Sequence, residues 1–462
     1  MNLNQFKNPA LASFLAFGIG ISTGLIKSDL YSSLIIISTG IFLIIAKIFP
    51  YWILVVLGFL YVRIDIARLQ DNSLKEFINR KVIVFGKIVD NRFVVSDSII
   101  SMDKVLYEKT KLFISSRIPV GCGKVKMAGL IRRARGSFRT YLISNRASGV
   151  IYPISYKIYP DKICSIRNHI REIIRNNSWS DVNFEIFRAL FLGERLGVPE
   201  NVLEIFKRTG TMHILALSGL HVGIITLVIF SIILMFRSGE GISLILTVVA
   251  LSFYLILVGF KSSLFRAYLF FVSLIIARLA GRKIKYLNVW GFAGLISLIY
   301  SPLWLLNPGF QFSYLATLGI ILSLKFNLRG VPGYILTLFL TSLAATMFVS
   351  PLQIYYFKMF TPVSIFANIL VIPLVFVVLS EIITGLLFTV VHLGLIGKLF
   401  FNVGNLALNI LLWGLKVIAR LPGTFVYDKS PINMFQVVIL ITFFTVLFMG
   451  IGRMVSETQK PG

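Results

Sequence analysis

Eleven residues, 213–223 (HILALSGLHVG), hold two histidines, a serine and two glycines at the head of a long apolar series. Ser218 stands three residues before His221, and a hydroxyl beside an imidazole is the pairing that makes a nucleophile and its base. No carboxylate lies nearby in sequence to orient the ring. A second chemistry is passive. A polar group at membrane depth is costly unless it is partnered or faces water. On a helix, His213, Leu217, Leu220 and His221 share one broad face, and Gly219 with Gly223 forms a small-xxx-small pair that admits a neighbouring backbone. The string is therefore a packed seam whose polar groups are satisfied by neighbouring helices, or the wall of a polar passage.

Other polar residues fall at or near the same depth: Lys261, Arg266, Gln311 and Ser313. Arg266 has two uses, pairing with a helix C-terminus or a carboxylate such as Glu381, or gripping phosphate oxygens with its guanidinium fork. Asn307-Pro308-Gly309 and Ser350-Pro351 are expected to break helices inside the membrane, with Asn368 and Pro373 as weaker cases. Lone His169 and His392 read as structural. The candidate lining is thus His213, Ser218, Gly219, His221, Gly223, Arg266, Gln311 and Ser313.

A third group is cationic. Lys109, Lys111, Lys124 and Lys126 precede Arg132, Arg133, Arg135 and Arg139, with Phe138 and Tyr141 interleaved. Single-strand binders combine a basic groove with stacking rings. The same residues also suit an ordinary solvated face. Cys122 and Cys164 lie in this region, either bonded, as an extracytoplasmic compartment permits, or left as two buried thiols.

The elements that position these groups follow from composition. Only 14% of the 462 residues are charged, 56% are hydrophobic and mean hydropathy is +0.85, which points to a membrane protein. The net charge of +27 exceeds what helix orientation needs and suits a polyanionic partner or anionic membrane lipid. The class expected is a polytopic α-helical membrane protein with a small extracytoplasmic β-rich, OB-like domain. Its expected segments are N-terminal transmembrane helices over 1–63, the basic OB-like domain over 64–180, an amphipathic helical segment over 181–212, and a polytopic domain over 213–462. The first segment holds apolar runs Leu11–Ile26, Tyr31–Lys47 and Tyr51–Val62. Strands are expected at Val82–Val89, Lys111–Ser115, Lys124–Ile131 and Thr140–Ser144, and helices at Asp161–Asn176 and Asp181–Arg208, with a fresh start at Pro199. Later spans are expected near 213–236, 242–260, 263–280, 287–301, 311–324, 332–350, 362–380, 382–396 and 434–452. Phe400–Leu421 reads as interfacial. Basic loops at Arg278–Lys285 and Lys325–Arg329 share the side of Arg237 and of the tail bearing Arg453 and Lys460, expected to be cytoplasmic.

Residues 189–224, ALFLGERLGVPENVLEIFKRTGTMHILALSGLHVGI, resemble the signature of the ComEC competence family. Further matches follow in order at 262–271, 307–320 and 350–374, and 121–142 is similar to that family's external OB-like region. The resemblance implies transport of single-stranded transforming DNA across the cytoplasmic (inner) membrane. It implies as partners a DNA receptor, a separate nuclease and a cytoplasmic translocation motor, with a homo-oligomer compatible. Many relatives add a C-terminal metallo-β-lactamase-like domain. This chain has no HxHxDH cluster and no GxxxxGK[ST] string, so neither metal nor cofactor is expected. Two other readings stand beside this one: a transporter of a small anionic solute, and a membrane-embedded hydrolase or transferase using Ser218 and His221.

Overall fold

A computed structural model describes residues 9–25, 50–70, 73–89, 92–101, 104–115, 122–237, 239–324, 330–421, 426–427 and 432–458. The run Tyr31–Lys47 and the loop cations Lys325 and Arg329 lie outside the described residues, as does Lys460. The chain forms two compact units, one of Met1–His169 with Ser252–Gln311, the other of Ile170–Leu251 with Phe312–Gly462.

The first unit pairs a helical layer with a barrel. Helices α1 (Pro9–Gly24) and α2 (Pro50–Gln70) lie against each other, and α1 also packs on α10 (Tyr286–Tyr300). Small residues set the close approach: Gly20 faces the Val55 backbone and Gly58 faces that of Phe17, where a side chain has no room. Tyr61 donates to the Ile299 carbonyl at 2.7 Å, and the Phe14 and Trp290 rings meet edge-on.

The barrel strands are β1 (Lys81–Val89), β2 (Phe93–Ser101), β3 (Lys104–Leu106), β4 (Lys111–Ile114), β5 (Gly123–Arg132) and β6 (Gly149–Tyr159). Pairing runs β1-β5-β6-β4-β2 and closes through β1–β2, with β3 added beside β2. Every contact in the ring is antiparallel except β4–β6. With β3 set aside, this is the strand order of a five-stranded OB barrel. The alternating sequence explains the closure: Val82, Val84, Ile88, Val94, Ile99, Leu112, Val125, Met127, Ile131 and Ile151 all point inward.

One expected strand is absent. Thr140–Ser144 forms the second half of helix α3 (Gly136–Ser144). Its β-branched and aromatic residues suggested a strand, but Leu142 packs with Phe93, Phe113, Ala147 and Val150 outside the barrel wall, and that burial overrides local preference. Strands β2, β3 and β6 were missed: serines and a proline interrupt the pattern of β2 and β6, and β3 is three residues long.

Helix α4 (Lys162–Asn176) follows the barrel. Next come α5 (Asp181–Leu192) and α6 (Glu200–Arg208), which are separate helices where one region with a restart at Pro199 was expected. Gly193, in the left-handed region, ends α5 with its N–H on the Ala189 carbonyl. The remaining helices are α7 (Gly219–Met235), α8 (Glu240–Val258), α9 (Ser262–Leu279), α10, α11 (Pro308–Ser323), α12 (Gly330–Phe357), α13 (Ser364–Val390), α14 (Gly394–Ala419) and α15 (Met434–Thr458), with a short strand pair, β7 (Met359–Phe360) and β8 (Val426–Tyr427). Among the described residues five helices, α8, α9, α12, α13 and α14, are long and apolar enough to cross a membrane, while α1, α7, α10 and part of α15 are apolar but shorter.

In the second unit, α13 packs against α7, α12 and α14, and α12 packs against α15 around Leu322, Ala344, Phe348 and Phe448. The expected spans 362–380 and 382–396 are not separate: α13 runs straight through Ser380 and Glu381. The expected break at Ser350-Pro351 is also absent, and Pro351 sits inside α12. Proline removes the N–H that would bond the Met347 carbonyl, and the Ser350 hydroxyl takes its place at 3.1 Å. The region expected to lie along an interface is part of the 26-residue α14, whose buried face includes Phe401, Asn405, Leu408, Leu411 and Leu415.

Candidate functional site

In the first unit the interconnection of β5 and β6 carries the cationic group. OB barrels commonly bind oligomers with this loop and the second and third strands. Arg132 ends β5, Arg133 and Arg135 lead into α3, and Arg139 lies on it, all exposed. Phe138 and Tyr141 on α3 stack at 6.0 Å with planes 17° apart, both more than a third exposed. Phe113 of β4 meets Phe138 edge-on at 5.2 Å and Phe93 of β2 at 5.4 Å, and the Lys111 ammonium sits 4.5 Å over the Phe93 ring. The sequence-derived basic and aromatic residues of this stretch are thus brought together on a ring platform. Phe93 and Phe113, which complete it, had no flag in the sequence beyond their place in strands.

This platform is anchored to the helical layer of its own unit. Helix α3 packs on the 3-10 turn Pro302–Leu306. Asn307 reaches the Ser144 hydroxyl at 3.5 Å. Arg146, just beyond α3 with φ of 55°, pairs with the half-hidden Asp65 of α2 at 3.1 Å. The expected break at Asn307-Pro308-Gly309 is real: the turn ends at Leu306, the Asn307 side chain caps by accepting from the Gly309 N–H at 2.9 Å, and α11 starts at Pro308. Gln311 lies in the first turn of α11 and donates to the Leu305 carbonyl at 2.7 Å. Arg266 is buried in the first turns of α9.

Lys124 and Lys126 lie elsewhere on the barrel. They project from the outer face of β5 between β1 and β6, where Lys126 stands 5.2 Å over the Phe85 ring. The basic group read as one patch is therefore two adjoining surfaces. Cys122 and Cys164 are bonded, with Cα atoms 5.4 Å apart, joining the start of β5 to α4. Beside the bridge Asp161 accepts from the Cys164 N–H at 2.8 Å and pairs with Lys87 at 2.6 Å. The Lys87 ammonium holds the Asp161 carboxyl below its usual range, against the opposing pull of partial burial.

In the second unit the histidine string is not one helix. Residues 211–218 are turns and coil, and α7 begins at Gly219, so the broad shared face expected of His213, Leu217, Leu220 and His221 does not form. Gly210 sets the turn, with φ of 69°, and a β-carbon there meets Thr361 and Ser364 at 2.5 to 2.7 Å. His213 is exposed, its Nδ1 3.1 Å from the Gly210 carbonyl. Ser218 is the N-cap of α7 and forms a capping box with the fully buried His221: the Ser218 N–H donates to Nδ1 at 3.4 Å, and the hydroxyl lies 3.0 Å from it. The Ser–His pair offered for nucleophilic chemistry is thereby engaged in starting a helix. Gly219 and Gly223 occupy the first turns of α7, and Ser313 lies on α11, its carbonyl accepting from Thr317.

Two polar networks in this unit had little sequence signal. Arg171 grips Glu194 with two bonds, 2.9 and 2.5 Å, while Arg188 approaches Glu194 at 3.6 Å and Glu185 at 2.6 Å. Burial pushes the Glu185 carboxyl up, with Arg188 opposing. Asn405 of α14 accepts from the Trp179 N–H and the Asn183 amide and donates to the Asn177 and Phe401 carbonyls. Its interruption of an apolar helix is thus an anchor for the start of α5.

Apolar helices of membrane length and an OB-ordered barrel define a polytopic membrane protein with a small β domain. The competence protein family description matches residues 190–454, over half of the chain, and the chain belongs to that family. Over 242 residues it is 29% identical to ComE operon protein 3 of Bacillus subtilis (strain 168), covering 52% of this chain and 31% of that protein. It is 29% identical over 252 residues to the uncharacterized protein YcaI of Escherichia coli (strain K12), covering 50% and 32%. An uncharacterized Aquifex aeolicus (strain VF5) protein is 30% identical over 216 residues, 46% of this chain and 50% of its own. The chain therefore spans about a third to a half of the length of these relatives. No solved structure matches.

Proposed function

We propose that this chain conducts single-stranded DNA across the cytoplasmic membrane during competence, with the barrel on the outer side. Family membership supports DNA uptake as the process. The observation that carries the finer reading is the seating of α3 on Pro302–Leu306, next to the Asn307-Pro308-Gly309 break. A strand bound by phosphate to Arg133, Arg135 and Arg139, with bases on Phe138 and Tyr141, is then held at the ends of the helices. The net charge of +27 draws the polyanion, and several weak contacts allow release.

Within the second unit His213, Ser218, Gly219, His221, Gly223 and Ser313 stay lining candidates on this reading, while Arg266 and Gln311 belong to the first unit and are not joined to them. The partners this reading takes from the family resemblance are a DNA receptor, a nuclease and a cytoplasmic translocation motor, with self-association compatible.

The test is entry of fluorescent DNA into cells. Deletion of the gene is expected to abolish cytosolic entry while capture at the surface persists. An inserted, folded Arg133→Ser/Arg135→Ser/Arg139→Ser variant is expected to lower entry and to reduce the log–log salt slope of oligonucleotide binding by about 2, at ~0.7 per lost phosphate contact. Undiminished entry in the deletion strain refutes the proposal.

A further inference from the structure

The outer face of β1, β5 and β6 presents cations in register. Lys87 lies directly across from Lys124, and Lys126 lies across from Lys157. Like charges placed opposite on a sheet destabilise it, so their pairing here opposes folding. No carboxylate on these strands relieves it: the three sequences, KVIVFGKIV, GKVKMAGLIR and GVIYPISYKIY, hold rings but no acid. Asp161 neutralises Lys87 alone. Among the described residues no ion pair reaches Lys124, Lys126 or Lys157.

Aromatic rings alternate with these cations. Lys126 stands over Phe85, the Lys157 ammonium lies 5.6 Å from the Tyr159 ring, and Arg132 lies 5.4 Å from Tyr152. Tyr159 pairs in register with Lys124, and both tyrosines are more than 40% exposed. The rows continue down the sheet: Lys81 flanks Leu130, which pairs with Tyr152, and Arg132 closes β5. Arg133 and Arg135 of the α3 platform follow at once in the chain. From Lys124 to Arg132 is eight residues, about 27 Å at ~3.4 Å each.

We infer that this sheet face is a lead-in track for the phosphodiester backbone of a single nucleic-acid strand, delivering it to the α3 platform. The inference rests on the reading under Proposed function and adds a second binding surface continuous with the α3 platform. Two features favour a nucleic-acid strand over anionic lipid headgroups. The cations form a line with rings at intervals, matching a polymer with alternating phosphates and stacking bases. A lipid surface calls for apolar side chains to insert beside the charges, and the face offers one strongly exposed aliphatic residue, Ile154, at the β6 irregularity.

The experiment uses the full chain in nanodiscs of zwitterionic lipid, with fluorescence anisotropy of a labelled oligothymidine across a salt series. The variant is Lys124→Gln/Lys126→Gln/Lys157→Gln, which keeps the strand pattern and removes the like-charge pairs, so its barrel is expected to melt no lower than wild type. The expected result is a salt slope smaller by about 2, additive with the loss in the α3 arginine variant. An unchanged slope and affinity in the lysine variant, with the arginine variant impaired, overturns the track and leaves the conduit reading standing. Loss of binding to phosphatidylglycerol vesicles with oligothymidine binding intact also overturns it, in favour of lipid. Failure of the wild-type protein to bind oligothymidine at low salt overturns both readings.

Discussion

Breaking the Cys122–Cys164 bridge tests how the barrel and α4 are held together. The bridge closes a loop of 42 residues. Loop-closure entropy for that length gives about 4 kcal/mol of stabilisation at 25 °C. The other ties at this corner are weaker. Asp161 caps α4 through the Cys164 N–H, which is worth about 1 kcal/mol, and its half-exposed Lys87 partner adds ~1 kcal/mol at most. The bridge therefore outweighs the local polar contacts. Cys122→Ser/Cys164→Ser is expected to lower the barrel's melting temperature by about 15–30 °C, since 1 kcal/mol moves a domain of this size by roughly 4–8 °C. Amide exchange on β5 and β6 in detergent-solubilised full-length protein reads this directly, and wild type under reductant should match the double variant. A loss below about 1 kcal/mol by both routes refutes the reasoning, because the chain segment would then be held by contacts other than the bridge.

Glu194→Ala is expected to cost the second unit about 3 kcal/mol, because it removes the buried carboxylate that Arg171 grips with two bonds and that Arg188 shares with Glu185, whereas Glu194→Gln keeps an acceptor and costs less. Thermal unfolding of the two variants in one detergent separates them, and equal losses sink the idea. Asp161→Asn retains the cap but removes the charge. Because the folded Asp161 carboxyl lies below its unfolded value near 3.9, its ion pair stabilises above that pH and is lost as pH falls through the folded value. Wild type should therefore lose stability to acid below pH ~4 by a margin the Asn variant lacks, while at neutral pH the substitution costs under about 1 kcal/mol.

Half of the barrel's strands were legible: β5 alternates outward Lys124 and Lys126 with inward Val125 and Met127, and β1 reads as an apolar β-rich run between Lys81 and Lys87. Helix α3 was not, since Thr140–Ser144 has strand-like residues and only the shelf formed by Phe93, Phe113 and Val150 makes it helical. The histidine string shows the same limit in the membrane. Its apolar run reads as one span from His213, but Ser218 and His221 form a cap that places the helix start at Gly219. Pro351 misled in the opposite direction, because the hydroxyl of its neighbour Ser350 satisfies the carbonyl it orphans. Glu194 lies within the family signature, yet its partners Arg171 and Arg188 are helical residues whose convergence no spacing rule announces.

These outcomes separate two kinds of polar residue in an apolar chain. Ser218, His221, Asn405 and Glu194 are engaged by the fold: each caps, anchors or neutralises something internal. The lysines of the sheet face are different, because Lys126 and Lys157 oppose one another and no acid among the described residues answers them. A residue that stabilises the fold needs no ligand to account for it. A residue whose placement opposes the fold does, since self-repulsion lowers stability unless a counter-charge arrives. The case for a nucleic-acid partner in this structure therefore stands more firmly on the barrel's unanswered cations than on the polar seam. Variants that neutralise them should melt no lower than wild type as they lose binding, a combination that loss of a merely structural residue does not produce.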